Sequence, residues 1–292
     1  MEIRKVQHTA DMFYLYLPTK WCKQFKITPN SKVGLFSFAD GSLGISPQTV
    51  EQKKKHVVFR VHGEDSQTLL KLLVAAYISP ATSFKITLDH QIDFTKVLAQ
   101  KNLLSLELVE IDGNQITCES SVQVNDALSL LTTMLRKIRN MLLVFSKGTH
   151  QELIERYEEE IDRSKLLIEK SVITSLANPI DSPYSSLELH FISLISKELE
   201  RLVDHLITLH NLEKQFVESL SKVLDFLQEL LKDKCSSYQK TLDFLDLTHK
   251  MQAVEVKDIT TYSKRRVVRA LNAISEAVID WSVVKEIEKE GK

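Results

Sequence analysis

Seven glycines and six prolines are few for 292 residues, and their scarcity argues against a loop-rich β architecture and for long helices. The three cysteines, Cys22, Cys118 and Cys235, lie far apart and form no Cys-x-x-Cys pair. That spacing disfavours a zinc knuckle or a thioredoxin-type redox motif and suits reduced thiols. Long apolar runs are also missing. The most apolar stretch, Leu69 to Ile78, contains Lys71 and falls well short of the roughly twenty residues a membrane helix needs. The chain opens Met1-Glu2-Ile3-Arg4-Lys5 with no apolar signal-peptide core behind it, so a soluble, cytoplasmic protein without membrane insertion is expected. Enzyme signatures are absent as well: there is no Gly-x-Gly-x-x-Gly, P-loop, Gly-x-Ser-x-Gly or His-Glu-x-x-His, and the nine histidines are scattered. Catalysis is not expected.

Hydrophobic residues make up 43% and charged residues 26% of the chain, the balance of a folded globular protein with room for two or three domains. The charge is unevenly placed. Residues 1–55 carry nine basic side chains against four acidic ones, a surplus of +5 that leaves −6 for the rest of a chain whose net charge is −1. A basic head on an acidic body is expected where the head meets a polyanion. A solvated surface followed by a polar linker containing Lys53-Lys54-Lys55 accounts for the same charges without a partner.

Three segments follow from patterning. In residues 1–50, Met12 to Leu17 has the aromatic and apolar content of a strand. Pro18 suits a helix start, and Trp21 and Phe25 share a face of the short helix that follows. Val33, Leu35, Phe36 and Phe38 predict another strand, and Asp40-Gly41 a hairpin turn. A unit this small has sheet edges and apolar faces that it cannot cover alone. Residues 56–120 alternate in period: strands at His56–His62, Phe84–Leu88, Leu106–Ile111 and Gln115–Glu119, a helix at Glu64–Ser79 and a short helix at Phe94–Gln100. That order predicts a small open sheet backed by helices. Residues 122–292 are nearly all helical in period, with segments near 123–147, 149–176, 184–210, 212–234, 236–254 and 258–289. Six helices with short connections predict two sets of three. The fold class expected is therefore multidomain and mostly α.

Two predicted helices carry acids four residues apart, Glu158 with Asp162 and Glu200 with Asp204. This spacing sets both carboxylates of a pair on one face. Their mutual repulsion turns into binding energy if a hard cation sits between the helices, because carboxylate oxygens are its preferred ligands. Ordinary solvated acids have the same pattern, and Lys165 and Arg201 are placed to neutralise their neighbours.

Two family resemblances become specific at this point. Arg4-Lys5-Val6-Gln7, Leu17-Pro18-x-Lys20-Trp21 and Asp40-Gly41-Ser42-Leu43-x-Ile45-Ser46-Pro47 resemble the AbrB/SpoVT-type swapped-hairpin domain. Leu199-Glu200-Arg201-Leu202-Val203-Asp204-His205 is similar to the Glu-x-x-x-Asp motif of PhoU, the phosphate-uptake regulator, and Glu158 to Asp162 is a looser version of it. The order of segments resembles archaeal PhoU-related regulators. The resemblance implies a homodimer whose N-terminal hairpins interleave into one β-barrel, with Arg4, Lys5, Lys20 and Lys23 facing duplex DNA. It implies paired three-helix bundles that bind divalent or ferric ions through Glu158, Asp162, Glu200 and Asp204. There are departures: His8-Thr9-Ala10-Asp11-Met12 lacks the Gly and Ser usual in the first loop, and Asn272 and Glu276 stand where a second Glu-x-x-x-Asp is expected, with only Asp243 and Asp246 in the fifth helix. A second metal site is implied to be weakened or lost. Two functions compete: a DNA-binding regulator of phosphate uptake that senses metal or phosphate status, and a metal-binding adaptor that docks on a phosphate transporter or kinase and uses its barrel only to dimerise.

Overall fold

The computed structural model describes residues 3–37, 41–47, 56–62, 66–89, 91, 109–119, 126–148, 151–179, 182–209, 213–251 and 255–290. The chain divides into two compact units, Met1–Lys53 and Lys54–Lys292.

In the first unit β1 (Gln7–Thr9) pairs antiparallel with β2 (Met12–Tyr14). The register Thr9↔Met12 leaves Ala10-Asp11 as a two-residue turn, with Ala10 at φ 52°. Such turns need positive φ, which costs a residue with a Cβ about 1–2 kcal/mol. Helix α1 (Thr19–Gln24) starts directly after Pro18, and Trp21 lies against Phe25 with ring centroids 5.5 Å apart. A second ribbon pairs β3 (Gly34–Ser37) with β4 (Leu43–Ser46). Asp40, half of the expected turn, lies outside the described residues, while Gly41 has φ 81°. Among the described residues the four strands make two separate ribbons and do not close into a barrel within one chain. None of the unit's described residues is buried; Phe13 is 75% exposed and Leu35 62%.

The second unit begins with a four-stranded sheet of order β5-β6-β8-β7, formed by β5 (His56–Val61), β6 (Ser83–Leu88), β7 (Val109–Asp112) and β8 (Gln115–Glu119). β5 runs parallel to β6 and the other pairings are antiparallel. The parallel pair requires a crossover, and α2 (Ser66–Ile78) supplies it. Leu69, Leu73, Ala76 and Tyr77 of α2 pack on Phe84, Ile86 and Leu88 of β6 and on Ile116 and Cys118 of β8. Alternation along β6 is strict, with every second side chain buried. The expected helix at Phe94–Gln100 lies outside the described residues, as does the start of the strand expected at Leu106.

Among the described residues six helices follow: α3 (Ala127–Lys147), α4 (Gln151–Ala177), α5 (Ser186–Leu206), α6 (Lys214–Lys232), α7 (Tyr238–His249) and α8 (Ile259–Glu290). Their ends are chemically marked. Asp126 and Ser237 accept N-cap hydrogen bonds, Ser185 and Glu188 form a reciprocal capping box, and Gly148 closes α3 with φ 109°. All six contribute to one continuous apolar core, in which Leu131, Ile161, Ile195, Leu227, Phe244 and Ile274 are fully buried. α3, α4 and α5 pack in succession, α7 packs on α8, and the extensive contact of α5 with α8 joins the two halves. Among the described residues no helix is long and apolar enough to cross a membrane.

Helix α4 belongs to two cores. Ile154, Ile161 and Ile168 face the helical core, while Leu167 packs against the sheet module. Lys170, only 7% exposed, donates from Nζ to the Tyr77 carbonyl at 2.8 Å and lies 4.3 Å from the Tyr77 ring centroid. The carbonyls of a helix's last turn have no intrahelical donor, and the Lys170 ammonium fills that role for α2.

Candidate cation site on the α4 and α5 helices

Where α4 and α5 pack together, Asp162 of α4 meets Glu200 and Asp204 of α5, with one carboxylate oxygen from each lying within 4.8 Å of the others. The i, i+4 spacing sets Glu200 and Asp204 one turn apart on α5. Buried Leu199, Leu202 and Val203 turn that helix so that the acidic face borders the α4 seam. Ile161 and Ile168 fix α4 in the same way. Asp162 and Glu200 are half-buried and Asp204 is exposed, so the cluster opens to solvent on one side.

Electrostatics give the cluster its character. Burial pushes the Asp162 carboxyl up to about 6, and the negative charges of Glu200, Asp204 and Glu158 add to the shift, with Lys165 opposing it. Burial also raises Glu200, against the pull of Lys165, and raises Asp204, against the pull of His205 and Lys165. Lys165 Nζ stands 3.9 Å from Glu200 and 3.7 Å from Glu169. One ammonium at that range does not compensate three converging carboxylates. Oxygen-rich, anionic and open to solvent, the site has the donor set preferred by hard cations.

Of the four acids read from the sequence, three converge. Glu158, one turn before Asp162, is not in the group, although its charge still acts on Asp162. Arg201 pairs with Glu198 at 2.5 Å on the same helix rather than bridging the cluster. His205 is half-buried, with Nε2 accepting from Arg266 Nε at 3.1 Å and the Tyr262 ring edge-on at 6.3 Å. Burial and then the Arg266 charge lower its pKa, against Asp204. Arg266 lies sixty-one residues away in the chain, so no local spacing signals this contact. Among the described residues no second group of three His, Cys, Asp or Glu side chains converges, and Asp243, Asp246 and Glu276 do not form one.

In the N-terminal unit Arg4, Lys5, Lys20 and Lys23 are all exposed, Lys20 and Lys23 one turn apart on α1. Asp11 is exposed in the β1–β2 turn. Comparisons with protein-family models, curated proteins and solved structures found no match for this chain.

Proposed function

We propose that this chain is a dimeric, DNA-binding regulator of phosphate uptake, whose helical body binds a hard cation through Asp162, Glu200 and Asp204 and reports on metal or phosphate status. The observation that carries the reading is the state of the first unit. It has no buried side chain among its described residues, yet it exposes Phe13, Tyr14, Leu15, Tyr16, Leu35 and Leu43 beside a surplus of basic groups. A unit of about fifty residues that buries none of its described side chains gains a core by pairing with a second copy. Interleaving of the two ribbons with those of a partner supplies that core and sets Arg4, Lys5, Lys20 and Lys23 on a dimer surface for phosphate contacts. The resemblance to AbrB/SpoVT-type and PhoU-related proteins supports the same assignment.

The test is binding of the full-length dimer to duplex DNA over a range of salt. If each protomer neutralises two or three phosphates, log affinity falls with log salt with a slope of roughly −4 to −5. Lys20→Ala with Lys23→Ala reduces the slope. Binding that ignores salt, or none at low salt, removes the DNA assignment.

A second reading, a cation-binding adaptor that docks on a transporter or kinase, is favoured by Asp11, whose exposed carboxylate in the first turn repels phosphate. It is the better account if Lys20→Ala and Lys23→Ala leave cellular effects unchanged while Glu200→Ala and Asp204→Ala abolish them.

A further inference from the structure

The two edges of the four-stranded sheet are built differently. β7 is four residues long and carries Glu110 and Asp112, both exposed. A short, charged strand is how proteins stop a sheet edge from recruiting another chain. β5 reads His56-Val57-Val58-Phe59-Arg60-Val61, six residues with no proline, no lysine and no acid. Among the described residues its one strand neighbour is β6. Val58 is 54% exposed and Val57 36%, while Phe59 and Val61 are half-buried against the core of the module. An edge of this length and composition favours strand addition.

We propose that the outer edge of β5 pairs antiparallel with β5 of a second copy of this chain, joining two four-stranded sheets into one of eight. A two-fold axis perpendicular to the sheet keeps both α2 helices on one face. Residues directly opposite in an antiparallel pair share a face, so the axis must pass through a residue. Centring on Val58 sets Val58 against its own copy and Val57 against Phe59, which covers both exposed valines with apolar partners. Centring on Phe59 sets Val58 against Arg60 instead. The dimer proposed above strengthens the case, and the pairing rests on that reading to this extent: β5 follows the N-terminal unit after residues 48–55. Dimerisation of that unit therefore raises the effective concentration of one β5 for the other to roughly millimolar.

The test uses the full-length chain with Cys22→Ser, leaving only the buried Cys118 and Cys235. Val58→Cys on the axis brings two thiols across one antiparallel pair, about 5 Å between Cα atoms, within disulfide reach. Mild oxidation is expected to link most of the protein into covalent dimers, whereas Arg60→Cys, two residues off the axis, stays unlinked. Val58→Lys in the otherwise unaltered chain is expected to speed amide hydrogen exchange across 56–61 at least tenfold. If Val58→Cys stays unlinked in a protein that light scattering shows to be dimeric, edge pairing is overturned and the N-terminal dimer stands. An unlinked monomer overturns both. Equal linking of Val58→Cys and Arg60→Cys reports random collision and also overturns the pairing.

Discussion

Asp162 shows how a single residue ties position to pH. Its carboxyl is raised by burial to about 6 from an ordinary value of 3.8, with neighbouring acids adding to the shift. The native state therefore binds this proton more tightly than the unfolded state does. The contribution to stability is most favourable below about pH 4 and is lost as pH rises through about 6. Screening of its part-exposed carboxylate limits the effect to about 1–2 kcal/mol. Asp162→Asn should therefore stabilise the cation-free protein by about that amount at pH 7 and leave it unchanged at pH 4, as read from urea melts. The same substitution removes a ligand. The rise in melting temperature produced by Mg, Mn, Fe or Zn is expected to shrink in this variant, and in the parent protein to fade below about pH 6 as protons compete for the site. If no such metal shifts the melting of the parent protein, the three acids are no cation site. A second residue-scale expectation concerns Ala10, held at φ 52° in the β1–β2 turn. Ala10→Gly relieves that strain and should stabilise the N-terminal unit by about 1 kcal/mol. Denaturant unfolding followed through Trp21 fluorescence in a Trp281→Phe background checks it.

The elements depend on a few polar joints as well as on the shared core. Glu188, 6% exposed, caps α5 and meets Lys285 of α8 at 3.1 Å and Lys234, just past α6, at 3.5 Å. Burial alone would raise its pKa. The Ser185 amide, Lys285 and Lys234 outweigh burial and hold the pKa below the usual carboxylate range. Glu188→Ala removes a cap and leaves Lys285, 18% exposed, without this partner. A loss of about 2–4 kcal/mol is expected in thermal or denaturant unfolding, with Glu188→Gln milder because an amide can still accept from the Ser185 N–H. Lys170 plays the corresponding part between α4 and α2. Lys170→Met keeps the stem but not the ammonium, and should raise amide exchange across α2 before it alters α5. Both joints link elements distant in sequence, Lys170 with Tyr77 across ninety-three residues. Neither shows in the period of any one helix.

For the whole molecule, two separate units and one asymmetric charge distribution set what can be coupled. The body contains the acidic cluster, and the basic head lies in the other unit. If cation occupancy regulates DNA binding, linkage requires DNA to change cation affinity by the same factor. Titrating cation with and without duplex DNA is expected to show equal shifts in the two directions; an unchanged cation affinity would leave the head and body independent.

Much of the helical body was legible from residues alone. The 3.6-residue period and the breaks between the expected helices mark local backbone preferences, and these persist whatever packs against them. Strand boundaries moved more: the strand expected over Met12 to Leu17 ends at Tyr14. Strand length depends on a neighbour, and among the described residues each of these strands pairs with one other strand. The candidate site was partly legible. The i, i+4 spacing found Asp162, Glu200 and Asp204, because both acids of a pair must share a helix face. The same spacing included Glu158, because periodicity gives a face but not the depth at which the opposing helix crosses it.

The sequence by itself determined the mostly helical class, the period-2 module, the uneven charge and the candidate acids. Each of these is a property of near neighbours along the chain. Only tertiary structure decided that six helices share one core, that α4 serves both that core and the sheet, that β5 is an edge while β6 is central, and which three of four carboxylates converge. Those outcomes depend on how helices cross and strands order, and the contacts that set them, such as Arg266 to His205 and Lys170 to Tyr77, join residues that no local pattern relates.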